Sequence, residues 1–224
     1  MVRQTTPQSF EDRNYFPSFK DCPYEHAWDD RYLVEDDPED PDSSGINRKH
    51  WCLLGEIIQA ENFIRPRIVA KDFKGHQFVV AFYPDDPNDM PRILKNFKVG
   101  NTIAIFYPLI HGFLDGTIGC RIEDSDEVLI LPLKLAEVFA MNKEIVKYTP
   151  TDGAPRKCQS CGEEKENLLK CGRCASAYYC NKDCQATGWN ENNHKKFCKV
   201  LKDKNVDWMQ FLNYGVYDAN ISFT

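Results

Sequence analysis

The chain has 224 residues, 42% of them hydrophobic, with ten cysteines and a formal net charge of −6 at pH 7. That is apolar material enough for a folded core, and too small a charge imbalance to define a partner class. The first twenty residues lack the apolar stretch of a secretory signal, and the longest apolar run, Thr102–Ile110, is broken by Pro108 and too short to span a bilayer.

No membrane association is therefore expected, and the chain reads as intracellular, in cytoplasm or nucleus. In that setting clustered cysteines point to metal binding and not to disulfides.

Residues 1–45 carry 12 Asp/Glu against 4 Lys/Arg and read as an irregular acidic arm. Its end, Asp36–Gly45, has the composition of a linker. Phe10, Tyr15, Phe16, Phe19, Tyr24, Trp28 and Tyr32 make the arm too aromatic for a pure spacer. Burial against the neighbouring domain is the favoured use of these rings, with an acidic-aromatic partner motif as the sharper reading.

Residues 46–148 read as a β-rich domain. Trp51–Gln59, Ile64–Lys71 and Gln77–Phe82 are rich in β-branched and aromatic residues, with Lys74-Gly75 turning between the last two. Asp85–Asn88 breaks the pattern, and Met90–Phe97 is expected to form a short helix. Strands follow at Thr102–Tyr107, Thr117–Ile122 and Val128–Leu131. Leu133–Tyr148 then carries Leu135, Val138, Phe139, Asn142, Ile145 and Val146 on one helical face.

About six short strands suggest an α+β chain whose first domain is a small, mostly antiparallel, barrel-like sheet of OB type. Such a barrel raises single-stranded nucleic acid as an alternative ligand. The 13 acids and 13 bases of residues 46–150 speak against it, because such grooves are positively charged. Residues 149–157, with Pro150, Gly153 and Pro155, form a linker.

The most specific signal follows. Its pattern is Cys158-x2-Cys161-x9-Cys171-x2-Cys174-x5-Cys180-x3-Cys184-x9-His194-x3-Cys198. Eight donors in four pairs make two tetrahedral sites. A Cys-x2-Cys turn places two thiolates on one metal, and Gly162 can supply the positive φ of such a turn. Residues four apart on a helix share a face, which suits Cys180/Cys184 and His194/Cys198. Thiolates and imidazole select zinc, and four protein ligands leave no open position, so both sites are structural. So short a segment cannot build a stable core alone, and metal must supply ~10–16 kcal/mol per zinc towards folding. Spacing permits either sequential or interleaved pairing. Cys22-x3-His26 and His50-x-Cys52 hold further donors, but two core cysteines and two surface histidines is the favoured reading.

The string from Cys158 to Cys198 closely resembles the MYND-type zinc finger. All eight ligand positions match, as do Tyr179, Gln185, Trp189 and Lys195. The resemblance implies a cross-brace: Cys158, Cys161, Cys180 and Cys184 on one zinc, and Cys171, Cys174, His194 and Cys198 on the other. It also implies protein partners, reached through short proline-containing peptides added as a strand. Gln185 and Trp189 match the peptide-contact positions, with Trp189 equally able to pack inside the finger. Gly172 departs from the serine that some peptide-binding members carry there.

Residues 199–224 are expected to be a C-terminal helix and tail, with Val200–Tyr217 continuing as an apolar-striped helix. MYND fingers also occur in SET-domain lysine methyltransferases, which need catalytic sequence beyond the finger. Only 26 residues follow Cys198, so the expectation is a zinc-binding adaptor without enzymatic activity.

Overall fold

The structure, a computed structural model, describes residues 2–34, 46–61, 66–83, 94–150 and 154–223. The acidic linker 36–45, the Asp85–Asn88 breaker, the first half (90–93) of the expected Met90–Phe97 helix and residues 151–153 lie outside these. The chain divides into two compact units: residues 1–2, 11–138 and 213–224 in one, and 3–10 with 139–212 in the other.

The first unit is built on seven strands: β1 (Cys52–Glu61), β2 (Arg67–Lys71), β3 (Gln77–Phe82), β4 (Thr102–Phe106), β5 (His111–Gly112), β6 (Ile118–Ile122) and β7 (Val128–Leu131). Their order across the sheet is β5-β6-β3-β2-β1-β4-β7. Neighbours pair antiparallel except β3 with β6, which run parallel. The sheet is barrel-like and mostly antiparallel, as expected, but not closed, since β5 and β7 remain edges. Gly119 makes the parallel pairing possible. A Cβ there would overlap the Val79 carbonyl, so no larger residue fits at that register.

Strand burial follows strand position. In β2, Ile68 and Ala70 point inward and alternate with more exposed residues, whereas every residue of β4 is buried. Ile103 and Ile105 of β4 join Leu53, Ile57, Val80 and Phe82 in one core. On the other face Phe106 packs near Tyr214 and Phe223, with centroids at 6.1 and 5.5 Å.

The N-terminal arm splits by residue. Phe16, Phe19, Cys22 and Tyr32 are buried, and Phe19 stacks on Phe78 at 4.7 Å. Buried Asp72 anchors this contact, accepting from the Phe19 backbone N–H at 2.8 Å and from those of Lys74 and His76 at 2.9 Å. Tyr24 and Trp28 are exposed.

Helix α1 (Leu135–Tyr148) starts two residues later than the apolar pattern suggested. The Lys134 and Leu135 N–H groups are taken by Glu137 and Glu56 carboxylates, both at 3.1 Å, which fixes the start. Its buried face is Leu135, Val138, Met141, Asn142 and Ile145, while Phe139 and Val146 are only half-buried. Asn142 accepts from the Phe10 N–H at 2.8 Å and donates to the Gln8 carbonyl at 2.9 Å, tying the N-terminal segment of its unit to the helix.

The second unit continues with a hairpin, β8 (Leu169–Lys170) and β9 (Tyr178–Tyr179), and with α2 (Lys182–Asn190), α3 (His194–Leu201) and α4 (Lys204–Phe211). The single helix expected over Val200–Tyr217 is instead α4 preceded by the end of α3. The break falls at Asp203, whose carboxylate caps α4 by accepting from the Asn205 N–H at 2.9 Å. Residues 213–223 are not helical and belong to the β-rich unit, where Tyr214 is fully buried. Among the described residues no helix is long and apolar enough to cross a membrane.

Candidate metal centre

Each donor pair is held by a local structure that its sequence specifies. Gly162 adopts φ +80°, and its N–H donates to the Cys158 carbonyl at 2.9 Å, closing the first Cys-x2-Cys turn. The second turn sits in the β8–β9 connection. There the Ala175 N–H donates to the Cys171 carbonyl at 2.9 Å and the Cys171 N–H to Ala177 at 2.8 Å. Cys180 follows β9 directly. Asn181 then caps α2 by accepting from the Cys184 N–H at 2.8 Å, which places Cys184 in the first turn. His194 and Cys198 lie one turn apart on α3.

These elements gather Cys158, Cys161, Cys180 and Cys184 into one group and Cys171, Cys174, His194 and Cys198 into another, the donor atoms of each within 4.8 Å of one another. The pairing is interleaved, which spacing alone left open. Cys161 Sγ stands 3.6 Å from Cys180 Sγ and 3.9 Å from Cys184 Sγ. In the second group Cys171 and Cys198 Sγ are 3.9 Å apart, and Cys174 Sγ is 3.7 Å from His194 Nε2.

These separations discriminate between chemistries. A disulfide needs ~2.05 Å. A zinc tetrahedron with ~2.3 Å zinc–sulfur bonds has sulfur–sulfur edges of ~3.8 Å and a sulfur–nitrogen edge of ~3.6 Å. The donor set therefore fits two zinc ions, bound by four cysteines and by three cysteines with one histidine. His194 offers Nε2 in the neutral form, since burial lowers its pKa.

The thiols show why a cation is needed. Burial opposes ionisation of Cys158, but the Cys161, Ser160 and Cys180 backbone N–H groups outweigh it and bring the thiol to about 6. Desolvation and neighbouring thiolates push Cys180 and Cys198 up to about 12. Four thiolates together require a divalent charge among them. The two sites also differ in access. All four ligands of the second are buried, whereas Cys161 is exposed and Cys180 and Cys184 are half-buried.

Around the second site lie residues whose role spacing did not reveal. Tyr179 is fully buried, with its ring 5.9 Å from that of His194. Gly188 packs against it so closely that a Cβ would overlap Tyr179 Cε1 and come within 2.9 Å of its hydroxyl. A glycine inside an otherwise ordinary helix was the available signal. Trp189 lies 5.8 Å from His194 and carries the Arg173 guanidinium 5.6 Å above its ring.

Cys22, Cys52 and Cys120 are buried outside the finger, and burial raises the pKa of each. His50 is buried and shares a 2.6 Å hydrogen bond with the Tyr107 hydroxyl, while His26 lies at the surface. Cys22, His26, His50 and Cys52 form no third donor group among the described residues.

Residues 158–198 match the family described as the MYND finger. The chain thus carries a MYND-type zinc finger, a protein-interaction module. It is 40% identical over 52 residues to N-lysine methyltransferase SMYD2-A of Danio rerio, which covers 23% of this chain and 12% of the relative. It is 41% identical over 82 residues to SMYD2-B of Xenopus laevis, covering 34% and 19%. Against human SMYD2 it is 41% identical over 51 residues, covering 23% and 11%. The chain thus spans less than a fifth of the length of these relatives. These names correct the expectation of a chain without enzymatic activity, since each is an N-lysine methyltransferase, although the similarity is confined to a short segment. Among solved structures, the Stn1-ten1 complex of S. pombe aligns with 39% of this chain and 62% of its own, at 17% identity and TM-score 0.30. The OB domain of a Methanosarcina mazei protein aligns with 42% and 83%, at 11% identity and TM-score 0.28.

Proposed function

We propose that the finger recruits protein partners by docking short proline-containing peptides, with Gln185 and Trp189 as the contact residues. The observation that carries this reading is their placement. They lie four residues apart on α2, so they share a face, and both are half-buried beside the zinc framework. A proline can pack on the exposed part of the Trp189 indole, beside His194 at 5.8 Å and the Arg173 guanidinium 5.6 Å above the ring. The β8–β9 hairpin supports strand addition, because it has only two strands and both residues of β8 are exposed. Gly172 is no obstacle of shape, since a Cβ there meets nothing within 4 Å.

The test is Trp189→Ala in the full chain. Affinity for a proline-containing peptide taken from a captured partner falls at least tenfold while two zinc ions stay bound. Unchanged affinity with zinc retained would place the partner surface elsewhere.

A second reading follows from the relatives' names. The 82 residues matched in SMYD2-B are about twice the length of the finger. On this reading the finger serves lysine methylation, by this chain or by a methyltransferase it recruits. Transfer of labelled methyl groups to protein lysine, assayed with and without a captured partner, separates the two. No transfer in either case removes this reading.

A further inference from the structure

The β-rich unit carries a surface unlike the finger's. The Tyr24 segment pairs beside Ile110, with the Glu25 N–H donating to the Ile110 carbonyl at 3.0 Å. This holds Tyr24 57% and Trp28 48% exposed, while Phe16 and Phe19 of the same arm are buried. Aromatic side chains are enriched at binding surfaces, and a contiguous exposed apolar patch marks one. Both line a groove of about 680 Å³, to which Leu33, Tyr107 and Leu109 also contribute. A second cavity of about 260 Å³ adjoins it and shares Tyr107, Leu109 and Glu127.

The charge around this space is one-sided. Among the described residues Glu25, Glu123, Asp124 and Glu127 line it, against Arg121, whose guanidinium is paired with Glu123 at 2.8 Å. Of the two histidines at the groove, His111 bonds Glu25 through Nδ1, and His26 lies near the same carboxylate at 4.0 Å.

Carboxylates in excess repel phosphate, so the surface is unsuited to nucleic acid. Aromatic faces beside carboxylates attract a cation whose stem is aliphatic, because ring and carboxylate both favour the charge while the stem covers apolar surface. We infer that this groove docks a peptide segment carrying a lysine or arginine flanked by apolar residues. Its aliphatic portions lie against Tyr24, Trp28 and Leu109, and its cationic head is directed to Glu127 and the neighbouring carboxylates. The volume falls within the ~300–1,000 Å³ of ordinary ligand clefts, room for a few side chains. This site is distinct in place and chemistry from the proline-peptide reading of the finger.

Fluorescence anisotropy with the zinc-loaded full chain at pH 8, where Glu127 is ionised, tests the inference. The probes are labelled nine-residue peptides with a central Lys or Arg and varied Leu, Pro and Val flanks, the same peptides with central norleucine or Glu, and a single-stranded oligonucleotide. The expected result is binding of a subset of the basic peptides, at least tenfold tighter than their norleucine and Glu counterparts and weakened as salt rises. Trp28→Ala and Glu127→Gln each weaken that binding about tenfold. Trp28 is half exposed, so its variant keeps the fold, and circular dichroism with zinc content checks this for both. Any one of four results overturns the proposal: no basic peptide bound, equal affinity for the norleucine set, preference for the oligonucleotide, or indifference to both substitutions.

Discussion

Replacing Gly188 by alanine sets two opposing effects of known size against each other. Helix propensity favours alanine by ~1 kcal/mol. The new methyl group would overlap the buried Tyr179 ring, and overpacking costs ~1–3 kcal/mol. The ring has little room to give, since it sits beside His194. Gly188→Ala is therefore expected to lower finger stability by up to about 2 kcal/mol, read as a reduced midpoint in thermal or denaturant unfolding of the zinc-loaded protein. A variant more stable than the parent would mean that packing against Tyr179 is loose. Glu127 gives a second residue-scale prediction. Burial, with the nearby Asp124 charge, raises its pKa from 4.5 to about 7, against a lowering hydrogen bond from Asn220. The folded protein thus keeps a proton that the unfolded chain releases. The associated stability is present in full below about 4.5 and is lost as pH rises through about 7. Glu127→Gln removes this dependence. Relative to the parent it should gain about 1–2 kcal/mol at pH 8 over its value at pH 5, the full shift being discounted for partial exposure. Denaturant titrations of both proteins at the two pH values measure this, and an identical difference at each contradicts it.

At the scale of elements, the two zinc sites are predicted to differ in lability. The first includes exposed Cys161 at the turn and half-buried Cys180 and Cys184, whereas the second is buried throughout by the β8–β9 hairpin and α3. Under limiting chelator and a thiol alkylator, Cys161, Cys180 and Cys184 should be modified before Cys171, Cys174 and Cys198, as read by peptide mass spectrometry; the reverse order contradicts the assignment of access. What could be read from sequence follows the same division. The four donor pairs were legible because metal ligation demands particular residue types at short, fixed spacings. Their interleaving was not, since either pairing satisfies those spacings, and only the resemblance to a family pointed to it. The helix break at Asp203 had a capping signal, but the apolar stripe of Val200, Leu201, Val206 and Met209 reads equally well as one helix.

At the scale of the whole molecule, strands with strong β composition were found close to where their residues suggested, because that signal is local. The parallel pairing of β3 with β6 was not legible, since it joins residues some forty positions apart and depends on Gly119 admitting the Val79 carbonyl. Nor did composition distinguish Phe16 and Phe19, which are buried, from Tyr24 and Trp28, which are not. The β-rich unit builds its own core from Leu53, Ile57, Ile103 and their neighbours, whereas the finger relies on metal. Native mass spectrometry of the intact chain, before and after chelation, tests this central claim most directly. Two zinc ions per chain are predicted, with the segment 158–198 losing protection from hydrogen exchange when both are removed while β1–β4 retain theirs. A finger that stays protected without metal, or a stoichiometry other than two, would contradict it.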